Sequence, residues 1–234
     1  MNANEMMEQF LKQTEVIDLT LTLEERMPKW PTQPPFHAVT YEAMEWGFGS
    51  YHRGISMSEH TGTHMDAPSH FIPDTEGVDR TPFTQLMGRG VKIDATNAKP
   101  REAVGMETVA AFERNYGEIQ QGDIVFFHFG WDKKYGLKPD GDGFLHDWPG
   151  IAPEVGEYLL QKRVKAVGCD PMALDPDGSD YPNHSILLGN GINILENVAN
   201  LGSVPPFFTC IGLPLKIKDG SGSPIRILAF IDKK

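Results

Sequence analysis

Residues 16–23 run Val-Ile-Asp-Leu-Thr-Leu-Thr-Leu. That alternation, rich in β-branched side chains, predicts a strand. Ahead of it, residues 3–13 set Met6, Phe10 and Leu11 on one side, which predicts a short amphipathic helix or arm. Residues 37–42, 51–59 and 90–95 predict further strands. Residues 106–115 carry Met106, Val109, Ala110 and Phe112 near one stripe, predicting a helix whose stripe is core. The apolar run at 123–131 is long enough for a central strand buried on both faces. Pro153 stands where a helix can begin, residues 154–163 continue it, and residues 164–169 return as a strand. That succession predicts a right-handed parallel crossover. Residues 207–217 and 225–231, joined by the glycine- and serine-rich 219–224, predict a closing hairpin.

The intervening stretches read as loops. Residues 27–35 are proline-rich around Trp30, either a stiff surface turn or a loop presenting the indole to a substrate. Residues 71–88 read as a long loop, and the glycine-, aspartate- and proline-rich 133–149 as a surface loop or lid. Asp170, Asp175, Asp177 and Asp180 lack the spacing, sixth-position glycine and closing glutamate of a calcium loop, so 170–180 reads as an acidic turn. Gly189-Asn-Gly191 lacks the third glycine and the setting of a dinucleotide site. No repeat or linker divides the chain, which suggests one domain, 1–234, with an N-terminal arm of about residues 1–14.

Composition narrows the class. With 40% hydrophobic and 23% charged residues, the 234-residue chain is that of a soluble globular protein. Its net charge of −11 and the lack of a basic stripe argue against nucleic acid as partner. Neither a signal-peptide core nor a membrane-length apolar run is present, so a cytoplasmic enzyme with a small-molecule substrate is the simplest expectation. Cys169 and Cys210 lie far apart in apolar surroundings and read as buried free thiols.

The candidate chemistry is concentrated in His60-Thr-Gly-Thr-His64-Met-Asp66-Ala-Pro-Ser-His70. Thr61, Gly62, Thr63 and Pro68 disfavour a helix there. In an extended chain, side chains at offsets 0, 4, 6 and 10 point the same way, so the four groups could converge on one side of a strand-like loop. Neutral imidazoles with a carboxylate suit zinc or manganese better than magnesium or calcium.

The motif His60-x-Gly-Thr-His64-x-Asp66-x-Pro68-x-His70 resembles that of the cyclase-like metal-dependent hydrolases, a group that includes bacterial kynurenine formamidases and isatin hydrolases. In the formamidases a His and a Glu with eleven residues between them complete a second metal site, and His184 and Glu196 have that separation. A proline-flanked tryptophan thirty positions before the first ligand contacts substrate in that group; Trp30 stands thirty before His60. Gly122-Asp123 and Gly130-Trp131 also match the family's central strand, although His128-Phe129 replaces the Arg-Thr pair of many relatives. His128 could reach the site or be a core histidine.

The resemblance implies an α/β fold, a swivelling β/β/α domain with a mixed central sheet, assembled as a homodimer or homotetramer. It implies one divalent metal held by His60, His64 and Asp66, a second held by Asp66, His184 and Glu196, and His70 as general acid/base. Zinc or manganese, one or two ions per chain, would activate water against a non-peptide C–N bond. The expected substrate is an arylformamide such as N-formylkynurenine, with an isatin-type lactam as alternative and Trp30 stacking on its ring. A reading of another class is a non-catalytic metal- or ligand-binding module.

Overall fold

The computed structural model describes residues 1–233. The chain opens on helix α1 (Ala3–Gln13), whose first turn is closed by a capping box: Asn2 Oδ1 accepts the Glu5 N–H while the Glu5 carboxylate accepts that of Asn2. No residue of α1 is buried; its ring contact is Phe10 on Phe230, with centroids 4.9 Å apart. Then follow β1 (Thr14–Asp18), β2 (His37–Glu42), β3 (His52–Ser56), β4 (His64–Asp66), β5 (Met87–Asp94) and β6 (Ala103–Val104). After α2 (Met106–Tyr116) come β7 (Ile124–His128) and β8 (Gly150–Ile151), then α3 (Pro153–Lys162) and β9 (Ala166–Cys169). Helix α4 (Pro182–Leu188), β10 (Asn193–Glu196), β11 (Phe207–Pro214) and β12 (Gly222–Asp232) complete the order.

Eight strands form one mixed sheet in the order β1-β12-β11-β5-β7-β9-β10-β4, and β4 pairs again with β12, closing the sheet into a barrel. Strands β5, β7, β9 and β10 run parallel; the other pairings are antiparallel. The edge of β12 is shared: residues 222–224 pair with β4 and residues 228–232 with β1. Alternation along the strands sorts the core into two clusters. Ile124, Phe126, Met65, Leu195 and Ile227 fill the barrel. Val125, Phe127, Val167 and Ile194 face outward, where Val109 and Phe112 of α2, Val155 and Leu159 of α3 and Leu187 of α4 cover them. The fold is thus mixed α/β about a mixed central sheet.

Several expectations are corrected. The strand foreseen over 16–23 stops at Asp18, because Asp18 Oδ1 turns back to accept the Thr20 N–H at 3.1 Å and the Thr20 hydroxyl takes over pairing with Ile227. The strand foreseen over 51–59 is trimmed to His52–Ser56. Residues 71–88 hold two 3₁₀ turns, Val78–Arg80 and Phe83–Leu86, and already enter β5 at Met87. The 133–149 segment is no open lid: Phe144 and Trp148 are 1% and 4% exposed, and Trp148 Nε1 donates to the Asp175 carbonyl. Within the acidic turn, Asp170 and Asp175 are buried beneath backbone donors. Both cysteines are buried and free. Among the described residues no helix is long and apolar enough to cross a membrane.

Candidate metal centre

His64 and Asp66 sit two apart on β4 and so point to one face, the outer one, while Met65 between them enters the barrel. Across the ladder His64 lies opposite Glu196 of β10, which brings the second carboxylate to the same patch. The expected continuous strand-like loop is absent. His60 instead arrives from a turn in which Gly62 has φ +64°, a left-handed conformation that favours glycine, with the Leu23 and Met27 side chains packed against it. His70 ends a 3₁₀ turn, Pro68–His70. His184 projects from the first turn of α4.

The resulting distances are short. His60 Nδ1 is 2.8 Å and His64 Nε2 3.4 Å from Asp66 Oδ1. His184 Nε2 is 3.7 Å from Asp66 Oδ2 and 3.1 Å from Glu196 Oε1, and His64 Nε2 is 3.5 Å from Glu196 Oε2. Two sets therefore converge, His60/His64/Asp66 and Asp66/His184/Glu196, with Asp66 common to both.

The opposite edge of each imidazole is already committed. His64 Nδ1 lies 2.8 Å from the Gly62 carbonyl, and His184 Nδ1 lies 2.7 Å from Asp175 Oδ2. His60 Nε2 reaches Ser221 Oγ at 2.9 Å, and that hydroxyl donates on to Glu59 Oε2 at 2.8 Å. With those N–H groups donating outward, the inward nitrogens of three rings face two carboxylates, and an ion between them would take the place of the protons held there. Asp66 Oδ2 is buried with no hydrogen-bond partner. Acceptors packed against acceptors need positive charge between them, and nitrogen with carboxylate oxygen suits a zinc- or manganese-like ion, so the residues fit a metal.

The same crowding shifts ionisation. Burial alone would lower the His184 pKa, but its hydrogen bonds to Asp175 and Glu196 hold it up, to about 10. Burial of His64 is likewise outweighed by Asp66 and Glu196, which raise it. Asp66 is held well below the ordinary carboxylate range: the histidine contacts overcome the opposing effect of burial. His70 differs: burial, with the neighbouring histidines, lowers it to about 4, so its ring is neutral at pH 7. His70 lies with its ring centroid 4.0 Å from that of His60, and it belongs to neither converging set.

His60, His64, His70, His184 and Glu196 line one cavity of about 190 Å³ with Trp30, Phe71 and Tyr181, and Asp66 lies buried beneath them. It is small beside the ~300–1,000 Å³ of drug-sized ligand sites, and suits a one- or two-ring molecule. Trp30 meets Tyr181 edge-on at 6.2 Å, and Phe71 lies 4.6 Å from the His184 ring. All seven residues singled out in the sequence thus come together. His128 does not: it ends β7 away from this cavity, 7% exposed, with burial lowering its pKa. Sequence reasoning missed Asp175, which accepts the Asn183 and His184 backbone N–H groups at 3.1 Å each and so starts α4 while orienting the His184 ring. It also missed Phe71 and Tyr181, for which aromatic character beside the motif was the only signal.

The sequence profile of the Cyclase family matches residues 17–176. The kynurenine formamidase of Bacillus mycoides is 29% identical over 225 residues, covering 92% of this chain and 97% of its own length. The isatin hydrolase of Roseibium aggregatum is 30% identical over 248 residues, covering 94% and 93%. A crystal structure of an isatin hydrolase bound to the product analogue thioisatinate superposes with a TM-score of 0.90 at 28% identity, covering 100% of both chains.

Proposed function

The chain belongs to the Cyclase family, and we propose that it is a metal-dependent hydrolase of a non-peptide C–N bond in a small aromatic amide. The observation that carries this is the buried, unpartnered Asp66 Oδ2 set between two converging His/carboxylate groups, at the foot of an aromatic cavity. His60, His64 and Asp66 would hold one ion; Asp66, His184 and Glu196 would hold a second. A bound divalent ion lowers the pKa of water from 15.7 toward about 7 and polarises a carbonyl. The donor set favours zinc or manganese, one or two per chain.

The chain's own groups account for the rest. Trp30, Phe71 and Tyr181 give the aromatic part of a substrate a flat, apolar seat and set its carbonyl toward Asp66. His70, neutral at pH 7, accepts a proton at its ring nitrogen as water adds to the carbonyl carbon. As the C–N bond breaks, the imidazolium returns that proton to the leaving nitrogen, so the products are a carboxylic acid and an amine. A non-catalytic binding module would have no need of a neutral imidazole held beside the ligand sets but outside them.

An arylformamide such as N-formylkynurenine is the first substrate. An isatin-type lactam is the second, supported by the full-length match to the thioisatinate complex. We further propose the swivelling β/β/α arrangement, a cytoplasmic location, and a homodimer or homotetramer. The exposed Tyr41 and Ile55 of the β2–β3 hairpin, at 68% and 60%, support such assembly. The test is metal content and turnover together. Wild type should open one of the two substrates with its characteristic absorbance change, and Glu196→Ala should hold one ion fewer than wild type. Equal metal content in both proteins would remove Glu196 from the centre. Turnover of neither compound beside hydrolysis of other amides would leave the class standing and discard the substrates.

A further inference from the structure

We infer a further cation site, sharing no residue with the first, in which His128, Asp132 and Asp170 hold a divalent ion of the zinc–manganese kind. His128 ends β7, Asp132 lies in the 3₁₀ turn Trp131–Lys134, and Asp170 directly follows β9. One ligand atom from each lies within 4.8 Å of the other two. The chain arrives at this point from three directions.

Each of the three has spare acceptor capacity at the point of convergence. The His128 side chain is 7% exposed, and its ring takes part in no hydrogen bond or ion pair among the described residues. Asp132 Oδ2 accepts the Asn200 N–H at 3.0 Å, whereas its Oδ1 is buried without a partner. Asp170 Oδ1 accepts the Phe129 N–H at 2.7 Å, and Oδ2 accepts those of Trp131 and, at 3.3 Å, Asp132. A carboxylate offers about four lone-pair sites, so one acceptor site of Asp170 stays open. A buried acceptor left without a partner costs roughly 1–3 kcal/mol. A cation at the convergence would meet all three groups at once, Asp132 Oδ1 included.

The chemistry selects the ion. One imidazole and two carboxylates, without a thiol, are ligands that zinc and manganese share. Two ionised carboxylates would cancel a divalent charge; burial raises Asp170 to about 7, so an ion there would take the place of its proton. The Lys92 ammonium, which acts on His128 together with Lys133 and Asp94, donates to the Val204 carbonyl. The fourth direction lies toward solvent on the partly exposed Asp132, where water can complete the coordination. Such an ion joins the C-terminal ends of two parallel barrel strands, and through the Asn200 N–H it reaches the segment that follows Glu196.

The experiment separates this site from the first by disabling the first. His60→Ala/His184→Ala should still bind one zinc or manganese ion per chain in calorimetric titration, and adding Asp132→Asn should abolish it. Asp132→Asn alone should lose one ion per chain while turnover stays at the wild-type level. No residual binding in the double variant, or binding that survives Asp132→Asn, overturns the inference. Should the double variant fail to fold, wild-type crystals grown with zinc and measured at its absorption edge decide. Anomalous density between His128 and Asp170 supports the site, and density confined to the first centre refutes it.

Discussion

Asp175 is the residue whose removal tells most about the centre without touching it. Its carboxylate accepts four hydrogen bonds from Asn183 and His184, one of them from the His184 ring. Losing such an outer partner typically costs ~10–100-fold in metal affinity. Asp175→Ala should therefore weaken zinc retention by that order in chelator competition while His60, His64 and Asp66 keep theirs. His70→Ala should retain its metal and lose about 10²–10⁴-fold in turnover, the usual contribution of general acid–base catalysis. Protonation gives a third expectation. The carboxylates around His64 and His184 raise the pKa of both rings against the effect of burial, that of His184 to about 10. An incoming cation must displace the protons those rings hold, so the affinity for zinc should rise with pH from 6 to 8. Calorimetry in buffers of different ionisation enthalpy would report the proton release; release of none would contradict the raised pKa values. At this scale the sequence was most legible where chemistry is local: His60, His64, Asp66 and His70 declare themselves by spacing. Asp175 could not, because its pairing with His184 exists only once α4 has formed.

Longer elements were legible and short ones were not. Helices α2 and α3 and strands β7, β11 and β12 all fall within a few residues of their expected places, for each carries enough periodic positions to show its face; the four-residue β9 was placed by the helix before it. By contrast β4 has three residues, β10 four and α4 seven, too few to hold a period. Tertiary pairing makes them, and they carry four of the six groups at the centre: His64, Asp66, His184 and Glu196. The 170–180 stretch shows why composition misleads there: its aspartates look solvated, yet Asp170 and Asp175 bind backbone donors in the interior. Gly150 tests the packing of this stretch. A Cβ there would lie 2.4 Å from the Leu174 carbonyl oxygen and the Pro176 nitrogen, so residues 174–176 would have to move. Overpacking of this kind costs ~1–3 kcal/mol. At roughly 2–4 °C per kcal/mol for a chain this long, Gly150→Ala should melt about 2–12 °C lower and lose metal as Asp175 shifts.

For the molecule as a whole, the strand–helix–strand crossover and the closing hairpin were foreseeable, but closure of the barrel was not. No local pattern says that residue 64 will pair with residue 224. Helix α1 lies outside that closed structure: none of its residues is buried, and Phe10 on Phe230 is its ring contact. Burial of part of one aromatic side chain stabilises by ~1 kcal/mol, so deletion of residues 1–11 should lower the melting temperature by about 2–4 °C and leave metal content unchanged. A larger fall would show that α1 holds the sheet edge in place.

The seam between β4 and β12 also governs when the centre can exist. His64 and Asp66 are fixed on one side by Glu196 and Ile194, and on the other by Pro224 and Gly222, while His60 rests on Ser221. Contacts so distant along the chain close late, because their loop entropy is met only after nearer pairings have formed. A ribosome therefore makes the His60–His70 motif early but a competent cage only after Pro224 has emerged. Metal loading belongs to the finished polypeptide, and a message truncated before β12 would yield the motif without the site.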